Sequence, residues 1–186
     1  MMSPSMNRAA LLGEAKRLVA ALRRMPLALF ARFERARDGT RMPVQAAALP
    51  WRRNRSGGDE VLLITSRRSG KWLVPKGWPM RGKSLAQAAE IEAYQEAGVR
   101  GLISPQPSGE LRWLKQHWTF GAVWFLVRIY PLEVAEERDV WREQAQRRRR
   151  WLSPEEAADV VESPELPASI RQFRGHQLRR IRGPAC

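Results

Sequence analysis

The sequence predicts an α/β fold in which a mixed sheet lies between helices. Three observations predict it. Strand-like runs stand before and after one sharply punctuated helix, and two further helix starts follow, an order that suits a sheet covered on both faces. The run Val61 to Thr65 is apolar until its last residue, as a strand buried on both faces must be. A length of 186 residues suits one α/β domain with short extensions, large enough to bury a core without disulfides or a structural metal.

Residues 7–37 read as a helix. Leu11, Leu12, Leu18, Val19 and Leu22 recur at roughly helical spacing among basic residues, with a break at Pro26. Residues 1–41 are therefore expected to form a basic helical extension, packed on the domain or laid against a polyanionic surface. The domain proper is expected over 42–174, and a basic tail over 175–186. Val44 to Trp51 reads as a strand, Asn54 to Asp59 as a turn, and Val61 to Thr65 as the buried strand. Ser69-Gly70 marks a second turn, and Trp72 to Val74 is a short strand ended by Pro75. A helix follows, with Ser84 and Gln87 spaced as a capping box and Gly98 placed as a left-handed stop. Leu111 to Leu114 and Ala122 to Tyr130 read as strands, the second aromatic and β-branched. Ser153-Pro154-Glu155-Glu156 opens another helix, and Ser163-Pro164 signals a last one near Pro167 to Arg179.

Charge and cysteine usage narrow the function. Lys and Arg number 33 against 19 Asp and Glu, a net charge of +14. Such a surplus favours phosphates, nucleic acid or an anionic surface, and its arginine content suits forked contacts to phosphate oxygens. Cys186 is the only cysteine, which excludes an intrachain disulfide and a cysteine zinc site. Apolar stretches such as Gly121 to Val127 fall far short of a bilayer span, so no transmembrane helix is expected. Glu14, Lys16 and Arg17 interrupt any signal-peptide core, and a cytoplasmic setting is expected.

The segment Gly77 to Val99 carries the chemistry. Its helix sets Glu92 and Glu96 four residues apart, on one face, with Gln95 beside them. Ala86, Ala89, Ala93 and Ala97 form a neighbouring stripe that lets the helix lie close to a sheet. The preceding loop, Pro75 to Lys83, is cationic and bears Gly77 and Gly82. Two carboxylates and a backbone carbonyl suit Mg²⁺ or Mn²⁺, since such a hard cation takes oxygen ligands and Mg²⁺ keeps several waters. A pair of glutamates at this spacing is otherwise an ordinary solvated helix face.

The surrounding pattern resembles the Nudix box, G-x5-E-x7-R-E-U-x-E-E-x-G-U with U a bulky apolar residue. Gly77 falls on its first glycine, Glu92 on the glutamate after the arginine, Glu96 on the last glutamate, Gly98 on the last glycine and Val99 on the final apolar position. The stretches WLVPKGWPMRGKSLAQAA, AALPWR, EVLLITSR and RRRRWLSPEEA are similar to the bacterial branch that resembles diphosphoinositol-polyphosphate phosphohydrolases. The resemblance covers Val44 to Phe173 and implies a Nudix-type α/β/α sandwich. It implies metal-dependent hydrolysis of a diphosphate linkage in a phosphorylated small molecule, either a dinucleoside polyphosphate such as a diadenosine polyphosphate or a diphosphoinositol-like compound.

Site residues carried over by that resemblance are Glu92, Gln95 and Glu96 for catalysis and Gly77 (carbonyl), Glu92 and Glu96 for the metal. Ser66, Arg67, Lys76, Arg147 and Arg149 are implied for substrate phosphates. The box is altered at four places. Lys83 stands for its first glutamate, Ile91 for the arginine that steadies the glutamates, Ala93 for a larger apolar residue and Gln95 for a glutamate. Glutamine takes up no proton at neutral pH, so it is no general base. Glu110 and His117 are candidates to replace that base, against ordinary readings as a turn carboxylate and a strand-edge residue. Two other functions stand beside hydrolysis. One is a weak or inactive domain that binds polyphosphate. The other is an RNA-directed enzyme, for which Trp113, Trp118 and Trp124 offer stacking surfaces, although Trp124 is expected in the core.

Overall fold

Two long strands organise the sheet, and their side chains alternate between two cores. The computed structural model describes residues 32–117 and 121–175. Its strands are β1 (Phe33–Arg35), β2 (Arg41–Arg53), β3 (Asp59–Thr65), β4 (Trp72–Leu73), β5 (Lys76–Gly77), β6 (Val99–Ile103), β7 (Gly109–His117), β8 (Gly121–Glu137) and β9 (Arg149–Leu152); its helices are α1 (Leu85–Ala97), α2 (Pro154–Val160) and α3 (Leu166–Gln172). The main path runs β4-β3-β2-β8-β6. Val44 to Trp51 of β2 pairs in parallel with Leu126 to Glu133 of β8, while β6 and β7 pair with β8 antiparallel. This is the expected mixed sheet.

Period-two alternation sorts the two faces. Leu62 and Ile64 of β3 join Val44, Ala46 and Ala48 of β2 beneath α1. Val61 and Leu63 join Ala47, Leu49 and Trp51 on the opposite face, against Ala157, Ala158, Leu166 and Ile170 of α2 and α3. Hence β3 reads as continuously apolar because helices cover both of its sides. The result is an α/β/α sandwich.

Helix α1 has the predicted punctuation. The Ser84 side chain accepts from the Gln87 N–H at 3.1 Å, and the Gln87 side chain accepts from the Ser84 N–H at 2.9 Å. Gly98 closes the helix at φ 69°, a conformation glycine adopts without a Cβ penalty. The alanine stripe is buried, with Ala89, Ala93 and Ala97 all at 0% exposure. Ser153 and Glu156 form a second capping box at the start of α2. Helix α3 ends at Gln172, and the stretch from 176 to the predicted end at Arg179 lies outside the described residues.

Three sequence readings are corrected. Residues 33–35, expected to be helical, form β1, paired with Arg41 to Pro43. Asp38-Gly39 turns the chain back, with the Thr40 N–H bonded to Asp38 Oδ1 at 3.0 Å. Arg128 then ties β1 to the sheet through Glu34 at 3.3 Å and the Arg35 carbonyl at 3.1 Å. The rest of the predicted N-terminal helix lies outside the described residues. Trp124, expected in the core, is 50% exposed. It pairs with Leu114, also exposed, so this rung of the β7–β8 ladder lies beyond the core that buries Leu126 on the same face. The basic run before Trp151, from which Arg147 and Arg149 were implied for substrate phosphates, instead ends inside β9, which pairs with β3.

Candidate active site

The β5 strand and α1 meet at one point, and a glycine makes the meeting close. Lys76 and Gly77 pair with Ala47 and Ala46 of β2, which sets the loop against the face of α1 that carries Glu92 and Glu96. A Cβ at Gly77 would lie 2.0 Å from Glu92 Oε1 and 2.2 Å from its Cδ. Only glycine leaves room for that carboxylate. Gly77 and the Glu92 side chain are therefore packed together.

The two glutamates have different surroundings. Glu92 is partly buried, and among the described residues none donates a hydrogen bond to it. Burial first, then repulsion from Glu96 and Glu143, pushes its carboxyl up to about 7 from the usual 4.5. Glu96 is buried and held at both oxygens. The Lys76 N–H donates to Oε2 at 3.0 Å, and the Arg147 guanidinium donates to Oε1. Burial raises its carboxyl as well, against the opposing pull of Arg147 and Lys76.

A loop over 138–148, between β8 and β9, supplies most of the remaining contacts. Arg147 also donates to Glu143 Oε2 at 2.6 Å and to the Thr65 carbonyl at 2.8 Å. Trp141 Nε1 donates to the Glu96 carbonyl at 3.1 Å, and Arg149 to the Ala97 carbonyl at 2.8 Å. Both satisfy carbonyls left open at the helix C-terminus, where a cation is also favoured. Arg142 donates to Gln95 Oε1 at 2.9 Å.

Sequence-implied residues thus fall into two groups. Gly77, Glu92 and Glu96 come together, with Gln95 beside them under Arg142. The substrate group disperses. Arg67 is exposed and 3.7 Å from Glu143, and Ser66 bonds Ser69 within its own turn at 2.5 Å. Lys76 Nζ lies 4.5 Å over the Trp113 ring. Arg147 is buried among protein partners, and Arg149 stacks on Trp141 at 4.2 Å and pairs with Glu137 at 3.1 Å. Glu110 is paired with Arg128 and accepts from the Arg37 N–H at 3.1 Å, so it is no free base. The His117 side chain lies outside the described residues. Glu143 was missed, although a glutamate four residues before an arginine is a readable signal.

Residues 42–174 match the NUDIX domain. The chain belongs to the Nudix family. Nudix hydrolase 16, mitochondrial, of Arabidopsis thaliana is 30% identical over 163 residues, 81% of this chain and 89% of that protein. The human diphosphoinositol polyphosphate phosphohydrolase 3-beta is 32% identical over 122 residues, 63% of this chain and 68% of that protein. The match to Nudix hydrolase 13, mitochondrial, of Arabidopsis thaliana is 30% identical and covers 61% of this chain and 59% of that protein; matches to Nudix hydrolases 21 and 12 span 63% and 58% of those proteins. Among solved structures, a C. elegans Ap4A hydrolase superposes with TM-score 0.54 at 18% identity, over 74% of this chain and 99% of that one. That likeness is one of fold. The Nudix sandwich accounts for the layers described above.

The raised carboxyl of Glu92 makes folding of this Nudix domain pH-dependent. With a folded-state value of about 7 against the usual 4.5, the folded chain holds a proton that the unfolded chain has released between those values. Its stabilising contribution is full below about 4.5 and lost as pH rises through about 7. Thermal melts in EDTA are expected to show falling stability from pH 5 to pH 8, a fall that Glu92→Gln reduces to the part that the raised Glu96 carboxyl supplies.

Proposed function

We propose that this Nudix domain is a divalent-cation-dependent pyrophosphohydrolase that cleaves a diphosphate linkage in a phosphate-rich small molecule, a dinucleoside polyphosphate or a diphosphoinositol-like compound. The observation that carries the proposal is Glu92. Its carboxylate is set against Gly77, takes no hydrogen bond from the described residues and is repelled by Glu96 and Glu143. Arg147 and Arg142 offset that charge only in part, and a cation provides the rest.

The residues present fit Mg²⁺ or Mn²⁺. Glu92 and Glu96 would hold it together with the Gly77 carbonyl. Among the described residues no three His, Cys, Asp or Glu side chains gather as a metal cluster, so a cation here keeps water ligands, as Mg²⁺ prefers. Bound there, the cation offsets charge on phosphate oxygens and acidifies water. Of the substrate group, Arg67 is exposed beside Glu143 and would take a remote phosphate, its guanidinium fork fixing the orientation. Binding of the cation favours the ionised form of Glu92, so Mg²⁺ is expected to reduce the fall in stability between pH 5 and pH 8.

Gln95 favours a second reading, a domain that binds polyphosphate with little turnover. Gln95→Glu separates the two. Arg142 at 2.9 Å would keep a glutamate there ionised beside Glu92. In a working site the variant is expected to hydrolyse substrate about tenfold faster or more, given that a general base contributes roughly 10²–10⁴ in rate. No hydrolysis by either protein would favour the binding reading.

A further inference from the structure

Helix α1 carries three glutamates, Glu90, Glu92 and Glu96, but no cation of its own: its sequence, Leu85–Ala97, contains neither Lys, Arg nor His. The charge that holds Glu96 must therefore come from elsewhere. The only side chain bonded to its carboxylate among the described residues is Arg147, which stands 51 positions later in the chain. Its side chain is 6% exposed, and its guanidinium spans three elements. It donates to Glu96 on α1, to the Thr65 carbonyl at the end of β3 at 2.8 Å, and to Glu143 in its own loop at 2.6 Å. A turn in which the Arg147 N–H bonds the Glu143 carbonyl at 3.1 Å fixes it locally.

These partners leave Arg147 little freedom to meet a phosphate. The guanidinium is planar and directional, and each of its edges here faces a protein acceptor. Its neighbours Arg148 and Arg150 are exposed, so the run of four arginines splits between solvent and interior.

We infer that Arg147 is the positioning residue of this site: it fixes the Glu96 carboxylate so that, with Glu92, it meets the cation, and it does not bind substrate phosphate. This rests on the hydrolase reading above. Outer partners of metal-ligating carboxylates typically carry about 10–100-fold in metal affinity or activity, and Arg147 is such a partner supplied from outside the helix.

The test is a Mn²⁺ titration of the full chain followed by electron paramagnetic resonance, with steady-state kinetics beside it, for wild type, Arg147→Lys, Arg147→Met, Glu96→Gln and the double variant. Melts fix a temperature at which each variant is folded. Arg147→Met is expected to weaken Mn²⁺ binding and lower kcat by about 10–100-fold with KM little changed. Arg147→Lys should recover part of both, and Arg147→Met should add almost nothing in the Glu96→Gln background. A raised KM with kcat preserved would overturn the inference in favour of phosphate contact. Unchanged Mn²⁺ affinity in Arg147→Met would overturn it in favour of a purely structural pair. If the wild-type chain neither takes up Mn²⁺ nor hydrolyses any substrate, the hydrolase reading fails and the inference falls with it; if wild type and Arg147→Met do both equally, the inference alone falls.

Discussion

Glu92→Gln is expected to abolish hydrolysis and, at the same time, to raise the melting temperature. The two effects have one cause. At pH 8 the Glu92 carboxylate is ionised although burial, Glu96 and Glu143 all oppose its charge, and no described residue donates a hydrogen bond to it in return. Glutamine keeps the shape and removes the charge. Scaled from a shift of the size that carries the carboxyl to about 7, and reduced for solvent screening, the gain is about 2 kcal/mol. For a chain of this length that is roughly 4–8 °C, measurable by calorimetry in EDTA. Turnover should fall by about 10²–10⁴, because a neutral amide neither accepts a proton nor binds a hard cation well. Stability and activity moving in opposite directions distinguish a functional carboxylate from a structural one.

Glu96→Gln is a less clean control. Glu96 forms a buried pair with Arg147, and removing one partner of such a pair typically destabilises by about 3–5 kcal/mol. Loss of activity in that variant would mix unfolding with chemistry.

Gly77→Ala is expected to cost about 10² or more in kcat/KM while leaving the fold nearly as stable as before. The three atoms nearest the added Cβ all belong to the Glu92 side chain, Oε1 at 2.0 Å, Cδ at 2.2 Å and Cγ at 2.8 Å. A side chain rotates away more readily than backbone moves, so the methyl displaces the carboxylate rather than the strand. A displacement near 1 Å at a reacting centre is enough for a loss of about 10². At Gly101 the outcome differs in kind, since a Cβ there meets the Glu133 carbonyl of the paired strand at 1.8 Å. Kinetics and melts on Gly77→Ala check the distinction.

Much of this architecture was legible in the sequence because the signals are local. Ser84, Gln87 and Gly98 write the ends of α1 in the chain itself, and Val61 to Ile64 announce a strand covered on both faces. Where a feature depends on partners far away, the sequence is silent. Strands β5 and β9 are two and four residues long and exist only through pairing with β2 and β3. Residues 33–35 were read as the end of a helix because the basic, apolar pattern before them continues into them, although Asp38-Gly39 was a hairpin signal. The site divides in the same way. Gly77, Glu92 and Glu96 follow from motif spacing. The Arg147–Glu143 pair shows only as an i,i+4 spacing, and nothing in the sequence says that it closes on Glu96, 51 positions away.

Hydrolysis of a substrate panel by wild type and Glu92→Gln, in Mg²⁺ and in EDTA, tests the central claim most directly. The panel should contain diadenosine polyphosphates, diphosphoinositol phosphates, nucleoside triphosphates and triphosphorylated RNA. The account predicts Mg²⁺-dependent release of phosphorylated products from one of the first two classes by wild type, and none above background by a Glu92→Gln protein that melts at a higher temperature. Equal turnover by both proteins, or turnover that persists in EDTA, would contradict it.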